Sequence, residues 1–183
     1  MDIFAHGLWT GAAYKIANKK SHAYRQAGKK QLSIKWAVFW GILPDLFAFT
    51  IPFIWLFWQF LSGEMSFSDW PRPHAGEPPT ADRYPIFHLA ESMYQISHSV
   101  IIFTLVFAVV WVLWRKPRLE LGGWLLHILI DIPTHTYRFY PTPAFWPVFG
   151  WRFDGISWGT PWFMAVNYAL IISVYFLLRK KKQ

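Results

Sequence analysis

Cysteine is absent from the chain, which excludes a disulfide framework and a thiolate metal site. Charge is scarce too, because Asp, Glu, Lys and Arg together make up 15% of the 183 residues. No internal repeat or low-complexity tract interrupts the chain. The first residues lack a basic n-region and a small-residue cleavage site, so no removable signal peptide is expected. What remains is apolar: 54% of residues are hydrophobic and 21% aromatic, and they come in blocks rather than in amphipathic alternation. The pattern predicts one membrane-embedded domain over residues 1–183, an all-α polytopic bundle of about four to five transmembrane helices.

The net charge of +8 raises the question of a nucleic-acid partner. Its distribution argues against one. Lys19, Lys20, Arg25, Lys29, Lys30 and Lys35 follow a first apolar segment at 3–17, Arg115, Lys116 and Arg118 follow a run at 94–114, and Arg179 to Lys182 follow one at 160–178. Basic residues just outside apolar runs mark the cytoplasmic side, so the partner expected is membrane lipid and the C-terminus is expected in the cytoplasm. The segment 3–17 is short enough either to span or to lie in the interface, and spanning fits the charge alternation better. The run 36–61 contains Pro44 and Pro52, where kinks are expected, and is long enough to tilt or overhang. A further span is read at 119–135. Segments 62–93, with five acids against Arg72 and Arg83, and 137–159, rich in aromatics, read as external loops.

Within these apolar blocks stand ionisable residues that a membrane protein ordinarily avoids. His127 and Asp131 are four apart, so in a helix both project from one face, where an imidazole and a carboxylate can grip one ion. His135 continues the spacing, although Pro133 is expected to bend or end the helix before it. Counted from the cytoplasmic ends at 1.5 Å per residue, His6 and Asp45 lie about 14 Å up, His127 about 12 Å and Asp131 about 18 Å. By the same count His98 and His135 lie about 24 Å up, in a second layer. These depths predict a shared site with His6, Asp45, His127 and Asp131 as metal ligands. His98 and His135 would then hold a second ion or act as acid and base.

Each residue also has a plainer reading. His6 can be a packed histidine, Asp45 a first-turn helix residue after Pro44, His98 an interfacial residue between Ser97 and Ser99, and His127 with Asp131 a buried ion pair. His22, His74 and His88 fall in loops, where solvated surface is the default. Arg152 and Asp154 either face the site from the outer loop or, beside Gly155, belong to a turn.

Taken in order, His6-Gly7 with Gly11, Leu43-Pro44-Asp45-Leu46-Phe47, Ser97-His98-Ser99 and His127-x3-Asp131 resemble the bacterial and archaeal inner-membrane proteins described as membrane-bound, metal-dependent hydrolases, of the kind under LexA control. The same order is distantly similar to the zinc-dependent phospholipase C and P1 nuclease group. It differs at Phe47, where the family commonly has a second Asp, and at Gln95-Ile96, where it has Arg-Gly. The resemblance implies a prokaryotic inner-membrane hydrolase that cleaves a phosphate ester of a lipid or lipid-linked substrate. Imidazoles with carboxylates suit zinc first, with manganese or iron as alternatives. Two other functions fit the same residues: a small ion or proton transporter using them as a polar path, and a non-enzymatic membrane scaffold whose basic loop binds anionic lipid.

Overall fold

The computed structural model describes residues 1–20, 31–69 and 84–180. Residues 21–30 of the basic loop, with His22, Arg25, Lys29 and Lys30, and the stretch holding His74, Glu77 and Asp82 lie outside the described residues, as do Lys181 and Lys182. Six helices follow one another: α1 (Ile3–Lys20), α2 (Ile34–Leu61), α3 (Ile86–Ser97), α4 (Val100–Trp114), α5 (Gly122–Thr134) and α6 (Pro161–Lys180). No strand forms among the described residues; Thr136 and Phe139 make one isolated bridge.

Helix α2 is the hub, packing against α1, α3 and α5, while α6 rests on α1. It starts at Ser33, whose side chain accepts from the Trp36 amide, and it runs through both prolines unbroken. At 28 residues it is about 42 Å long, more than the roughly 30 Å of a hydrocarbon core.

The run 94–114, read from sequence as one span, is broken. The helix stops at Ser97, and α3 and α4 meet at 59°. The cause lies at Ser99, whose Oγ accepts from the Ile101 and Ile102 amides and so caps α4. The same hydroxyl donates to the Trp146 carbonyl, and the Val100 amide donates to Ala144. A distant loop thus holds the break open. Segment 62–93, expected as loop, contains most of α3, because Phe87, Ala90, Tyr94 and Ser97 recur at helical spacing and are buried. Pro133 lies within α5 and the helix ends one residue later, at Thr134.

Two helices, α2 and α6, are long and apolar enough to cross a membrane, and the bent α3–α4 pair makes a third if it counts as one span. The burial pattern fits that setting. His6, His98, His127 and Asp131 are fully buried, while Trp58, Leu61, Val112 and Ile172 are more than two-thirds exposed. A chain that faces its polar groups inward and its large apolar ones outward is matched to lipid rather than to water.

One end of the bundle gathers the basic helix termini. Asn18 bonds the backbone of Leu32 in both directions, Lys19 donates to the Leu178 carbonyl, Tyr14 donates to Leu119, and Glu120 accepts from the Ser33 amide. At the other end residues 137–159 form no helix and close over the end of α5. Amides of Gly155, Ile156 and Trp158 donate to the carbonyls of His135, Pro133 and Thr134, which the helix terminus leaves without partners. A Cβ on Gly155 would stand 2.2 Å from the Pro133 oxygen, so only glycine allows this approach. Gly155→Ala is therefore expected to lower stability by about 1–3 kcal/mol, the range for overpacking. Loss of protection at the three amides, followed by hydrogen exchange, would locate the damage.

Candidate metal centre

Four elements supply the ionisable groups: α1 brings His6, α2 brings Asp45, the α3–α4 break brings His98, and α5 with its cap brings His127, Asp131 and His135. Each of three imidazoles is fixed through Nδ1. His127 donates to the Gly41 carbonyl at 2.8 Å, His98 to the Tyr94 carbonyl at 3.2 Å, and His135 to the Tyr140 carbonyl at 2.9 Å. Carbonyls only accept, so Nδ1 carries the proton in each ring and Nε2 presents a lone pair. Backbone fixation of this kind orients histidines in metal sites.

The freed nitrogens converge. Nε2 of His98 and His127 stand 3.0 Å apart. They are 3.4 and 3.2 Å from Asp131 Oδ2, and each is 3.6 Å from Asp45 Oδ1. One ligand atom from each of the four residues lies within 4.8 Å of the other three, so the group can hold a metal ion. Two observations test the fit. Asp131 Oδ2 is buried without a hydrogen-bond partner, and two imidazole lone pairs point at each other. Both features are unfavourable unless a proton or cation sits among them. Imidazole and carboxylate donors at that spread suit a divalent cation with bonds of about 2.0–2.2 Å, so the residues present fit one.

The other carboxylate oxygen of Asp131 faces a separate set. His6 Nε2 lies 2.9 Å from Oδ1 and His135 Nε2 3.4 Å; the Met1 amino group contacts Oδ1 and is 2.9 Å from His135 Nε2. His6 stacks on His127 with ring centroids 3.7 Å apart, and both its nitrogens are buried without a hydrogen bond of good geometry. All six residues singled out from sequence therefore meet. They divide differently, however: His98 stands in the four-residue group and His6 beside it. The two depth layers are one, because His98 Nε2 and His135 Nε2 each lie 3.4 Å from an oxygen of Asp131. His88 is exposed on α3. Asp154 accepts from the Tyr137 amide at 2.8 Å and so serves the loop.

Most of the groups that aim these side chains leave no sign in the sequence. Tyr94 stacks on His98 at 3.7 Å and donates its hydroxyl to Tyr140. Tyr140 takes φ +45°, a left-handed conformation uncommon outside glycine, and its carbonyl receives both Tyr94 and His135. Its phenol is pushed above the usual range by burial, with the Glu91 carboxylate adding to it. Trp124 Nε1 donates to the Ser97 carbonyl at 2.6 Å and pins the chain beside His98. Backbone carbonyls carry no residue signature, and only Tyr94, one turn before His98, was open to inference.

No protein family matches this chain, and no curated protein or solved structure is significantly similar to it.

Proposed function

We propose that the protein is a metal-dependent hydrolase embedded in a membrane, acting on a phosphate ester of a lipid or lipid-linked substrate. The observation that carries this reading is the facing pair of Nδ1-anchored imidazoles, His98 and His127, with two carboxylates at their Nε2 atoms. Asp45, His98, His127 and Asp131 would hold the ion, zinc being the first choice for that donor set. A divalent cation supplies Lewis acidity there: it draws the acidity of water toward neutrality and offsets the charge of a phosphate. His135 is held ready by Tyr140 as a proton carrier, and His6 braces Asp131 from the far side. The low-dielectric surroundings strengthen each of these interactions relative to water.

In this reading the gathered basic ends face the cytoplasm of a prokaryotic inner membrane, which puts the carboxyl end of α6 there. The short α1 and α5 complete four to five membrane-embedded segments around the centre. Asp45 is partly exposed, with 14% of its side chain accessible, while the other three are fully buried.

Metal analysis of detergent-purified protein is expected to find a stoichiometric transition metal in the wild type and less than about a tenth of that in His127→Ala. A screen of lipid phosphate monoesters and diesters is expected to show release that chelator abolishes. Wild-type protein without bound metal, or hydrolysis indifferent to His127→Ala, would sink the reading.

A further inference from the structure

On the lipid-facing side of α1 runs a trough of about 560 Å³. Its floor is α1, where Ala12 and Ala13 leave room between Trp9 and Ile16; Leu129 and Pro133 of α5 form one wall and Val174 of α6 the other. Both hydrogen-bonding side chains in its lining are turned away: the Thr134 hydroxyl donates to the Ile130 carbonyl and Trp9 Nε1 to Asn167 Oδ1. Nothing in the trough can hold a headgroup. An aliphatic chain asks for nothing more.

The position of the trough says which chain. One end is formed by Met1 and Thr134. Met1 is also the residue whose amino group contacts Asp131, and Thr134 is followed by His135, whose Nε2 faces the same carboxylate. The trough therefore ends where the centre begins. Met1 and Ile16 line its two ends, about 20 Å apart at 1.5 Å per residue, more than the roughly 15 Å depth of one leaflet. A long single chain can fill it from end to end.

We infer that the trough seats the hydrocarbon chain of the substrate, a long-chain alkyl or polyprenyl phosphate whose anionic head lies at the cation-binding centre. The inference rests on the reading of that centre as a phosphoesterase and names its substrate class. Charge complementarity fixes the polarity: the wholly apolar part takes the tail, and the end with imidazoles and a cation takes the phosphate. Moving a chain from lipid into the trough gains little, because both surroundings are apolar. The benefit is orientation, since a seated tail limits where the phosphate can go.

The test uses two variants that replace none of the six ionisable residues of the centre, Leu129→Trp on the exposed wall and Ala13→Leu on the floor, with metal content as the check that the fold survives. A diazirine-bearing hexadecyl phosphate is expected to label trough peptides of the wild type, and Leu129→Trp to cut that labelling about tenfold. The same variant should lose about tenfold in kcat/KM for hexadecyl phosphate and keep its rate on p-nitrophenyl phosphate. Labelling spread evenly over α2, α4 and α6, or an equal fall on both esters with metal retained, overturns the inference. Trough labelling in a wild type that holds no metal and hydrolyses neither ester would instead overturn the phosphoesterase reading and leave a chain-binding site standing.

Discussion

Asp131→Asn is expected to empty the centre of metal and abolish hydrolysis while leaving the helices assembled. The substitution keeps the shape of the side chain and removes the one charge that both halves of the site share. Oδ2 faces His98 and His127, and Oδ1 faces His6, His135 and the Met1 amino group. Removing one partner of a buried ionic group typically costs 3–5 kcal/mol, which corresponds to about 10² to 10⁴ in affinity at 1.4 kcal/mol per factor of ten. Metal affinity and turnover should fall together by that order.

The same variant separates a cation from a mere ion pair. If a metal occupies the centre, it stabilises the fold by about 2.7 kcal/mol at a hundredfold excess over its Kd. Chelation should then lower the wild-type unfolding midpoint and leave Asp131→Asn unmoved. If Asp131 is neutralised only by an imidazolium and the amino group, chelator moves neither protein, and the variant is simply less stable. Unfolding midpoints of both proteins, with and without chelator, decide between the two.

How far the sequence foretold this centre depends on how far each residue acts through its own helix. His127 and Asp131 were legible because one helical turn relates them and nothing else is needed. Asp45 was legible as a charge in an apolar run, and counting rise per residue brought it to the right height. His98 was assigned to a separate layer, and its approach to Asp131 depends on how α3 and α4 meet, which a count of rise per residue does not report. The break there is set by carbonyls of Ala144 and Trp146, some 45 residues away in sequence, and periodicity within 94–114 carries no trace of them. Helix α3 was missed for a different reason: its apolar face is a single stripe, and the charges and prolines before it outweighed that stripe when the segment was read as loop. The exact tautomers were beyond reach, since they follow from which backbone oxygens happen to lie at Nδ1.

Gly123→Val is expected to cost the protein its metal without touching any ligand. A Cβ at this position would lie 2.1 Å from the Ala37 carbonyl oxygen and 3.0 Å from the Gly41 amide, and both belong to the backbone of α2, which has no rotamer to turn. Helix α5 must therefore lift away. His127, one turn further along, reaches the Gly41 carbonyl only because the two helices meet so closely, so its 2.8 Å bond opens with them. Overpacking of about 1–3 kcal/mol and an orphaned buried group of about 1–3 kcal/mol together give a loss of roughly 2–6 kcal/mol, ample to unfold a marginal protein. Gly122→Ala is the matched control. Its Cβ would meet only the Tyr14 hydroxyl, at 2.6 Å, and that atom ends a side chain that can swing aside with the loss of its bond to Leu119. The control should retain its metal and unfold within a few degrees of the wild type. Equal damage from both substitutions would mean that the start of α5 is merely crowded. Damage confined to Gly123→Val would locate the aim of His127 in the contact between two backbones.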